Sequence, residues 1–535
     1  MTAGFGMQDA GFRNGTGAIS QSTLRAIDEL GVKRLVTDSR AVKPGDTFVA
    51  YPGEVRDGRD YIPEALANGA ASVLWESRNF AWNTAWRAAN VGVADLRRYA
   101  GEIASYLHGR PSGKLWVIGV TGTNGKSSCG QWIAQSLTRA GRKCALIGTL
   151  GSGFPGALQA TANTTPDAVW LHDTLNGFLR RGARAVSMEV SSHGLEQHRL
   201  SGIEFDVALL TNVSRDHLDY HGTMRRYRAA KARLFRWPSL KYAVLNLDDS
   251  FGIELVSRMK HPGAAVLGYG FPRGRPLRTN ARRVLRVEGR NLRAGADGLS
   301  FDVTTPWGGA SLKSRLIGRF NAANLLGSLA TLLASEVGLE DSVRALQRVK
   351  AAPGRTERYG GGSRPLVVVD YAHTPDALKK MLLALRELLA GSGFEVSGSR
   401  LQARRSSSLN SELETRNPKL ICVLGCGGER DRGKRPLMGA IAARLANQVI
   451  ITSDNPRHED PLQIIADIAK GARAGRPTIE PDRARAIRLA VGMARAGDAV
   501  LVAGKGHEQY QEIGAVKYPF SDAVAVTAAL RETRG

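Results

Sequence analysis

A glycine-rich loop, two acidic or imidazole-bearing strand ends and one stiffened arginine loop carry the chemistry of this sequence. In WVIGVTGTNGKSS (116–128) an apolar run turns into a glycine-rich loop and then into a helical pattern. Gly122 and Gly125 let the backbone curl, so that amides face phosphate, Lys126 neutralises it and Ser127 can reach Mg²⁺. The spacing departs from the strict G-x-x-x-x-G-K-[ST] form, because Val120 stands where the first glycine would fall. The alternative is a glycine turn of structural use only. In MEVSSHGLEQHRL (188–200), Glu189 closes the next strand near that loop, where a carboxylate would hold Mg²⁺. His217 leaves a further strand end in TNVSRDHLDYHG (211–222), beside Asp216, Asp219 and His221. That company suits a metal or a substrate role, whereas a lone His is more often structural. NTTPD (163–167) offers Asn163, Thr164 and Thr165 for uncharged hydrogen bonding or for capping a helix, and one segment can do both. In SDNPRHEDP (453–461), Pro456 and Pro461 stiffen a loop that presents Arg457 just after the apolar run QVIIT. Taken alone, that arginine reads as a surface turn.

Elements of matching period must hold these loops. KLWVIGV, ARAVSMEV, DVALLTNV and KYAVLNLD read as buried strands of a parallel sheet, with helical patterns such as CGQWIAQSLTRAG between them. Residues 265–317 change character to short β-like pieces rich in Gly and Pro. One long helix is expected next, ending near AAPGR (351–355). PLVVVDYA, LICVLGC, QVIITSD and DAVLVAG open a further alternating block. The first hundred residues mix short β-like runs with one helix–strand unit, YIPEALANGAASVLWE. The expected fold class is α/β in three domains. A small mixed α/β domain spans 1–112, a central P-loop-type ATPase domain with a parallel sheet spans 113–352, and a Rossmann-like doubly wound domain spans 353–535. In such sheets ligands gather at the carboxyl ends of the strands, where every motif above falls. GSGFEVSGSRLQARRSSSLNSELETRNP (391–418) breaks the rhythm and is read as a flexible insertion.

The bulk numbers narrow the function classes. At 535 residues the chain exceeds one core, and 43% hydrophobic with 23% charged residues marks a globular protein. The formal charge of +25 raises nucleic acid as a partner. However, the positive residues are mostly scattered arginines, and the densest cluster, RRYRAAKARLFR (225–236), falls on a predicted helix. A basic surface equally suits a polyanionic small substrate. Cys129, Cys144, Cys422 and Cys426 form no CxxC pair and read as reduced thiols. MTAGFGMQDAGFRNGTG shows no signal-peptide pattern, and ANLLGSLATLLASEVGL (323–339) carries Asn, Ser and Glu and so reads as a buried helix.

Ten motifs in order, TGTNGKS, NTTP, MEVSSHGL, TNVSRDHLDYHG, GRFNAAN, PGRTE, DYAHTPDAL, GCGGERDRGKRPLM, DNPR and GKGHE, resemble the Mur ligase family, and more closely its diaminopimelate-adding branch. The resemblance runs from about residue 30 to 525, apart from 391–418. It implies a cytoplasmic, monomeric ATP- and Mg²⁺-dependent amide ligase of peptidoglycan precursor synthesis, without a nucleic-acid partner or membrane insertion. Its substrates would be UDP-MurNAc-L-Ala-D-Glu, meso-diaminopimelate and ATP. The D-Glu γ-carboxylate would be phosphorylated, and the amine of diaminopimelate would attack the acyl phosphate.

The resemblance assigns roles residue by residue. Gly122, Thr123, Asn124, Gly125, Lys126, Ser127, Ser128, Asn321, Asn324, Arg355 and Asp370 match ATP-contacting positions. Lys126, His217 and Lys231 match the catalytic set. Ser127 (or Ser128), Glu189 and His217 would hold magnesium, joined by Lys231, the lysine that the family carbamylates. Ser39 (within Asp38-Ser39-Arg40), Asn163, Thr164, Thr165, Ser191, Gln197 and Arg199 match the uridine-nucleotide site. Arg430, Asp454, Asn455, Pro456, Arg457, Gly504 and Glu508 match the diaminopimelate pocket. There Arg457 would meet the distal carboxylate and Glu508 the distal ammonium. Lysine would leave that arginine unpaired, and the lysine-adding relatives lack it.

Three departures stand out. Ser127-Ser128 replaces a common Thr-Thr, Thr356 stands where the family usually has Met or Leu, and the 391–418 insertion has no counterpart. The Thr356 change is expected to be one of packing. Folylpolyglutamate synthetase shares the phosphate loop and the amide-forming chemistry, but DNPR, NTTP and the DSR…PGD segment argue against it. A nucleic-acid-dependent ATPase would want a concentrated basic face, which is not evident.

Overall fold

The computed structural model describes residues 19–161, 163–259, 263–272, 284–295, 297–391, 396–397, 400–401 and 417–532. Most of the 391–418 insertion, expected to be flexible, lies outside the described residues. By its internal contacts the chain forms two compact units. The first comprises Met1–Gly113, Asp167–Gly177 and His198–Ile203, and the second holds the rest.

The first unit is built on a four-stranded parallel sheet in the order Leu35–Val36, Thr47–Ala50, Ser72–Glu76, Ala89–Val93. Helix Leu96–Leu107 buries Leu96, Ala100, Ile103 and Ala104 against Val49 and Leu74. The 3.6-residue spacing of those apolar positions gives the helix its single core-facing stripe. His172 of this unit is fully covered, and its Nε2 lies 2.9 Å from the Ser201 carbonyl.

The second unit holds an eleven-stranded sheet and a six-stranded sheet. At the centre of the larger one, Trp116–Thr121 lies between Ala185–Glu189 and Val207–Leu210, all parallel. The register pairs Val120 with Glu189 and Thr121 with Leu210, so three strand ends open at one level. Strands Ala185–Glu189 and Val207–Leu210 are buried throughout and carry the near-continuous apolar runs of a sheet covered on both faces. Each fully covered Val, Leu or Ile there contributes roughly 1.5–3 kcal/mol.

The core of the central sheet is parallel, as expected, and antiparallel pairs extend both edges, through Gly298–Thr305 and Gly308–Ser314 on one side and Gly151–Phe154 and Ala157–Gln159 on the other. One expectation needs correction. The single long helix is two, Arg319–Ala334 and Leu339–Gln347. Glu336 has a left-handed φ of 63°, which no helix interior accommodates, and Gly338 starts the second helix.

The six-stranded sheet runs Glu357–Gly360, Leu366–Asp370, Ala499–Ala503, Leu420–Leu424, Gln448–Ile451, Thr478–Ile479, with only the first strand antiparallel. Asp370 and Leu424 both pair with Ala503, and Leu424 pairs with Ile451. The loops after these four strands therefore emerge side by side. All four cysteines are buried free thiols. Burial pushes Cys129, Cys144 and Cys422 up to about 12 and Cys426 up to about 11.

Candidate active site

The phosphate loop is shaped by its two neighbours. Thr123 N donates to Asn212 O at 2.7 Å, and Asn124 exchanges hydrogen bonds with the Asn212 amide at 3.1 and 2.9 Å. Gly125 has φ of 90°, and a Cβ there would fall 2.7 Å from Asn324 Oδ1, so the position excludes any side chain. Helix Lys126–Arg139 starts at this turn and presents its free N-terminal amides. Lys126 Nζ donates to the carbonyls of Gly122 and Thr123 at 2.9 and 3.0 Å.

Lys231 is 1% exposed, and its Nζ donates to the same Gly122 carbonyl at 2.9 Å. Burial and the nearby Lys126 charge hold its pKa well below the usual lysine range. Glu189 is also buried, with Oε1 accepting from Thr149 N at 2.9 Å and Oε2 from Thr149 Oγ1 at 3.1 Å. His217 stands 3.4 Å from Asp216, which in turn lies 3.5 Å from His373 of the six-stranded-sheet domain. Although burial alone would raise it, both histidines and Lys434 hold Asp216 well below the usual carboxylate range.

Two of the expected magnesium ligands suit that ion. Among the described residues no group of three or more His, Cys, Asp or Glu is assembled for a metal. Of the expected set, the Glu189 carboxylate and the Ser127 hydroxyl are the hard oxygen donors that magnesium takes, His217 offers nitrogen, and Lys231 would join them only as a carbamate.

Of the remaining expected ATP-site residues, Arg355 and Asn324 reach the same loop. Arg355 Nη2 donates to Ser127 Oγ at 3.3 Å, its guanidinium lies 4.1 Å from the Tyr371 ring centre, and its buried Nε has no hydrogen-bond partner among the described residues. Asn324 donates to Asn321 Oδ1 at 3.3 Å, and Asp370 Oδ2 accepts from Thr356 N at 2.7 Å. Burial raises the pKa of Asp370, against the pull of Arg355. Thr356 is more than a packing change. Its hydroxyl donates to Arg355 O at 2.7 Å and accepts from Asn321 at 3.5 Å, which places it within the nucleotide-site hydrogen bonds.

Of the expected uridine-nucleotide residues, Ser39 and Arg199 belong to the first unit and Asn163, Thr164, Thr165, Ser191 and Gln197 to the second. Thr164 meets Thr149 at 3.0 Å, and Thr165 ties Glu189 O to Ser191 N at 2.9 and 3.0 Å. Ser191 caps helix Ser192–Glu196, Gln197 donates to Tyr220 at 3.1 Å, and Asn163 is exposed. In the first unit Ser39 donates to Glu64 at 2.6 Å, and the Arg199 charge pulls against the burial that raises the Asp167 pKa.

The third cluster forms at the ends of the six-stranded sheet. Asn455 Nδ2 donates to Glu508 Oε2 at 2.8 Å. Asp454 is buried and packs against Gly504, whose φ of 119° only glycine adopts readily. Gly504 N donates to Asp370 O at 3.1 Å, so this cluster adjoins one of the expected ATP-site residues. Arg430 is exposed at the rim. Pro456 leads into Arg457, whose φ of 52° is left-handed. Arg457 Nε donates to Glu512 at 2.9 Å and Nη1 to Gly428 O at 2.6 Å. The expectation that a substrate without a distal carboxylate leaves Arg457 unpaired is thus corrected, since Glu512 already pairs with it.

Four residues here escaped the sequence reading. Lys505 is fully buried, donating to Asn455 Oδ1 at 2.7 Å and Glu508 Oε2 at 3.1 Å. Arg483 and Asp522 form a fully buried bidentate ion pair at 2.7 and 2.8 Å. Arg483 also donates to Ser453 O at 3.4 Å and Ala503 O at 3.0 Å, the roots of both pocket loops. Glu512 is the fourth. Position inside GKGHE was the one available signal, and it pointed to Lys505 alone.

A phosphate-type loop, a buried carboxylate on the neighbouring strand and a cluster of paired Arg, Asn and Glu suit an enzyme that spends a nucleotide on a small charged substrate. The chain belongs to the Mur ligase family, whose members are ATP-dependent ligases that form amide bonds. Residues 32–108 match the Mur ligase family, catalytic domain; 120–332 the Mur ligase middle domain; and 406–506 the Mur ligase, glutamate ligase domain. The chain is 50% identical over 507 residues to the UDP-N-acetylmuramoyl-L-alanyl-D-glutamate–2,6-diaminopimelate ligase of Nitrosomonas europaea, covering 95% of this chain and 94% of that protein. It is 48% identical over 504 residues to the ligase of the same name from Chromobacterium violaceum, covering 94% of each. A solved structure of a ligase with this name is 37% identical, covers 94% of this chain and 96% of its own, and superposes with a TM-score of 0.61.

Proposed function

We propose that this chain joins meso-diaminopimelate to the D-Glu γ-carboxylate of UDP-MurNAc-L-Ala-D-Glu, in the cytoplasm, with ATP as the phosphoryl donor. The γ-phosphoryl group passes to the carboxylate, giving an acyl phosphate and ADP. The diaminopimelate amine then attacks the acyl carbon, the C–N bond forms, and phosphate leaves with the C–O electron pair. The observation that supports this reading is the pair of hydrogen bonds at Asp370, which accepts from Gly504 N beside the Asn455–Glu508 pair and from Thr356 N beside Arg355, itself bonded to Ser127.

Each residue's part follows from its surroundings. Lys126 and the helix amides hold the phosphates in line and offset their charge. Arg355, with its unpartnered Nε, reaches the transferring group from the side of the six-stranded sheet. Ser127, Glu189, His217 and carbamylated Lys231 would hold magnesium, which when bound offsets repulsion between triphosphate and carboxylate. At the pocket, Arg457 keeps Nη2 without a hydrogen bond among the described residues, facing a carboxylate. Glu508 likewise keeps Oε1 for an ammonium. Discrimination against lysine then rests on the hydrogen bond that only a distal carboxylate can accept from Nη2.

The test is phosphate release with ATP, Mg²⁺ and UDP-MurNAc-L-Ala-D-Glu, comparing meso-diaminopimelate with L-lysine and weighing the product by mass spectrometry. Release with diaminopimelate and a tripeptide-bearing product supports the reading. Equal or greater release with lysine overturns it.

A further inference from the structure

Arg457 is held at both ends. Its backbone N donates to Glu512 O at 3.0 Å, its backbone O accepts from Gly514 N at 2.8 Å, and Arg457 bridges Ile513 as one extra parallel pair. The hairpin Tyr510–Ile513 and Val516–Pro519 is thereby fastened to the DNPR loop. Asn455 Oδ1 accepts from Glu512 N at 3.0 Å and strengthens the same seam. Because its own backbone is fixed on both sides, Glu512 presents its carboxylate to one edge of the guanidinium, at Nε. Gly428 O takes Nη1. The side chains of Arg457 and Glu512 are 20% and 23% exposed, so neither is free to swing as a surface pair would.

We infer that Glu512 is a positioning residue for substrate selection: it locks the Arg457 fork so that only its Nη2 end is offered to the distal carboxylate of the incoming amino acid. The inference rests on the diaminopimelate reading of the pocket. A guanidinium can receive a carboxylate along its Nε/Nη2 side or at its Nη1/Nη2 end. Glu512 occupies the side, so the substrate docks at the end, at one angle. A fork held in place loses less freedom on each hydrogen bond formed. Glu512 does not touch the reacting atoms, and its effect passes entirely through Arg457.

Steady-state kinetics of the full-length enzyme, at saturating ATP, Mg²⁺ and UDP-MurNAc-L-Ala-D-Glu, test this with Glu512→Ala, Glu512→Gln and Arg457→Ala. Glu512→Ala is expected to raise KM for meso-diaminopimelate about 10-fold while kcat moves less than about 2-fold. Glu512→Gln keeps an oxygen acceptor for Nε–H and is expected to recover most of that loss. A poorly folded sample would instead lower apparent kcat at unchanged KM. An unchanged KM in Glu512→Ala overturns the inference. So does a Gln variant as impaired as Ala, which would make charge and not orientation the cause. An unchanged diaminopimelate KM in Arg457→Ala overturns the reading of the pocket itself, and the role of Glu512 with it.

Discussion

The side-chain nitrogens of Lys126 and Lys231 each lie 2.9 Å from one acceptor, the Gly122 carbonyl. Two cations cannot share one oxygen in a buried setting without cost, and burial together with the neighbouring Lys126 charge lowers the Lys231 pKa well below the usual lysine range. An uncharged lysine amine is the form that reacts with carbon dioxide. Incubation with ¹³C-bicarbonate is expected to give a carbamate carbonyl signal that is absent in Lys231→Ala. That variant is expected to lose about 100-fold in kcat, the size of effect found for one missing charge-stabilising group.

Gly125 tests the nucleotide site. In Gly125→Ala the methyl would press on Asn324 Oδ1 at a φ that alanine disfavours. The loop must then shift, and its amides leave their aim. Calorimetric titration with ADP is expected to show affinity weakened at least about 10-fold, since loss of a single charge-assisted bond already costs about 1.5–3 kcal/mol. Binding of wild-type strength would show that the loop does not meet the nucleotide.

The buried Arg483–Asp522 pair joins both pocket loops to the last helix, Asp522–Glu532. Replacing Arg483 with Met leaves an uncompensated carboxylate and is expected to cost about 3–5 kcal/mol in urea unfolding. Adding Asp522→Leu removes that stranded charge. The double variant is expected to recover stability while still raising the diaminopimelate KM, because Ser453 O and Ala503 O have lost their common donor.

His172 makes the first unit acid-sensitive. Burial holds its pKa down at about 4, against 6.5 for the exposed side chain. Between those values the unfolded chain binds a proton that the folded one does not. Its contribution is therefore complete above pH 6.5 and is lost as pH falls through about 4. The full span corresponds to roughly 3 kcal/mol. Unfolding of His172→Gln, followed from pH 7 to 4, is expected to show a shallower acid limb than wild type.

The parts legible in the sequence are those in which function and local structure coincide. TGTNGKS names its own geometry, because a strand, a glycine turn and a helix start are contiguous. That Glu189 closes a strand beside the phosphate loop was legible because buried apolar runs alternate with helical patterns there. What stayed hidden are partnerships between distant segments. Glu512 meets Arg457 across 55 residues and Asp522 meets Arg483 across 39, and nothing in either segment's period announces the other. The split of the helix after Ala334 was missed for a different reason: ASEVGL keeps an apolar rhythm through a turn whose left-handed residue is a glutamate, not the glycine two places later. Thr356 was misread because a hydroxyl in a site usually filled by an apolar side chain looks like a volume change until its two hydrogen bonds are seen.

The four buried thiols have a practical side. Cys129 stands within the helix that opens at the phosphate loop, yet its sulfur is covered and remains protonated well above neutral pH. Electrophiles aimed at thiolates therefore find no native handle beside the nucleotide, and a covalent inhibitor of this enzyme has to be built on another nucleophile. The same feature makes the chain a ready host for site-specific labelling: a single cysteine placed on an exposed position reacts alone, and dyes for distance measurements can be attached without first stripping out the protein's own.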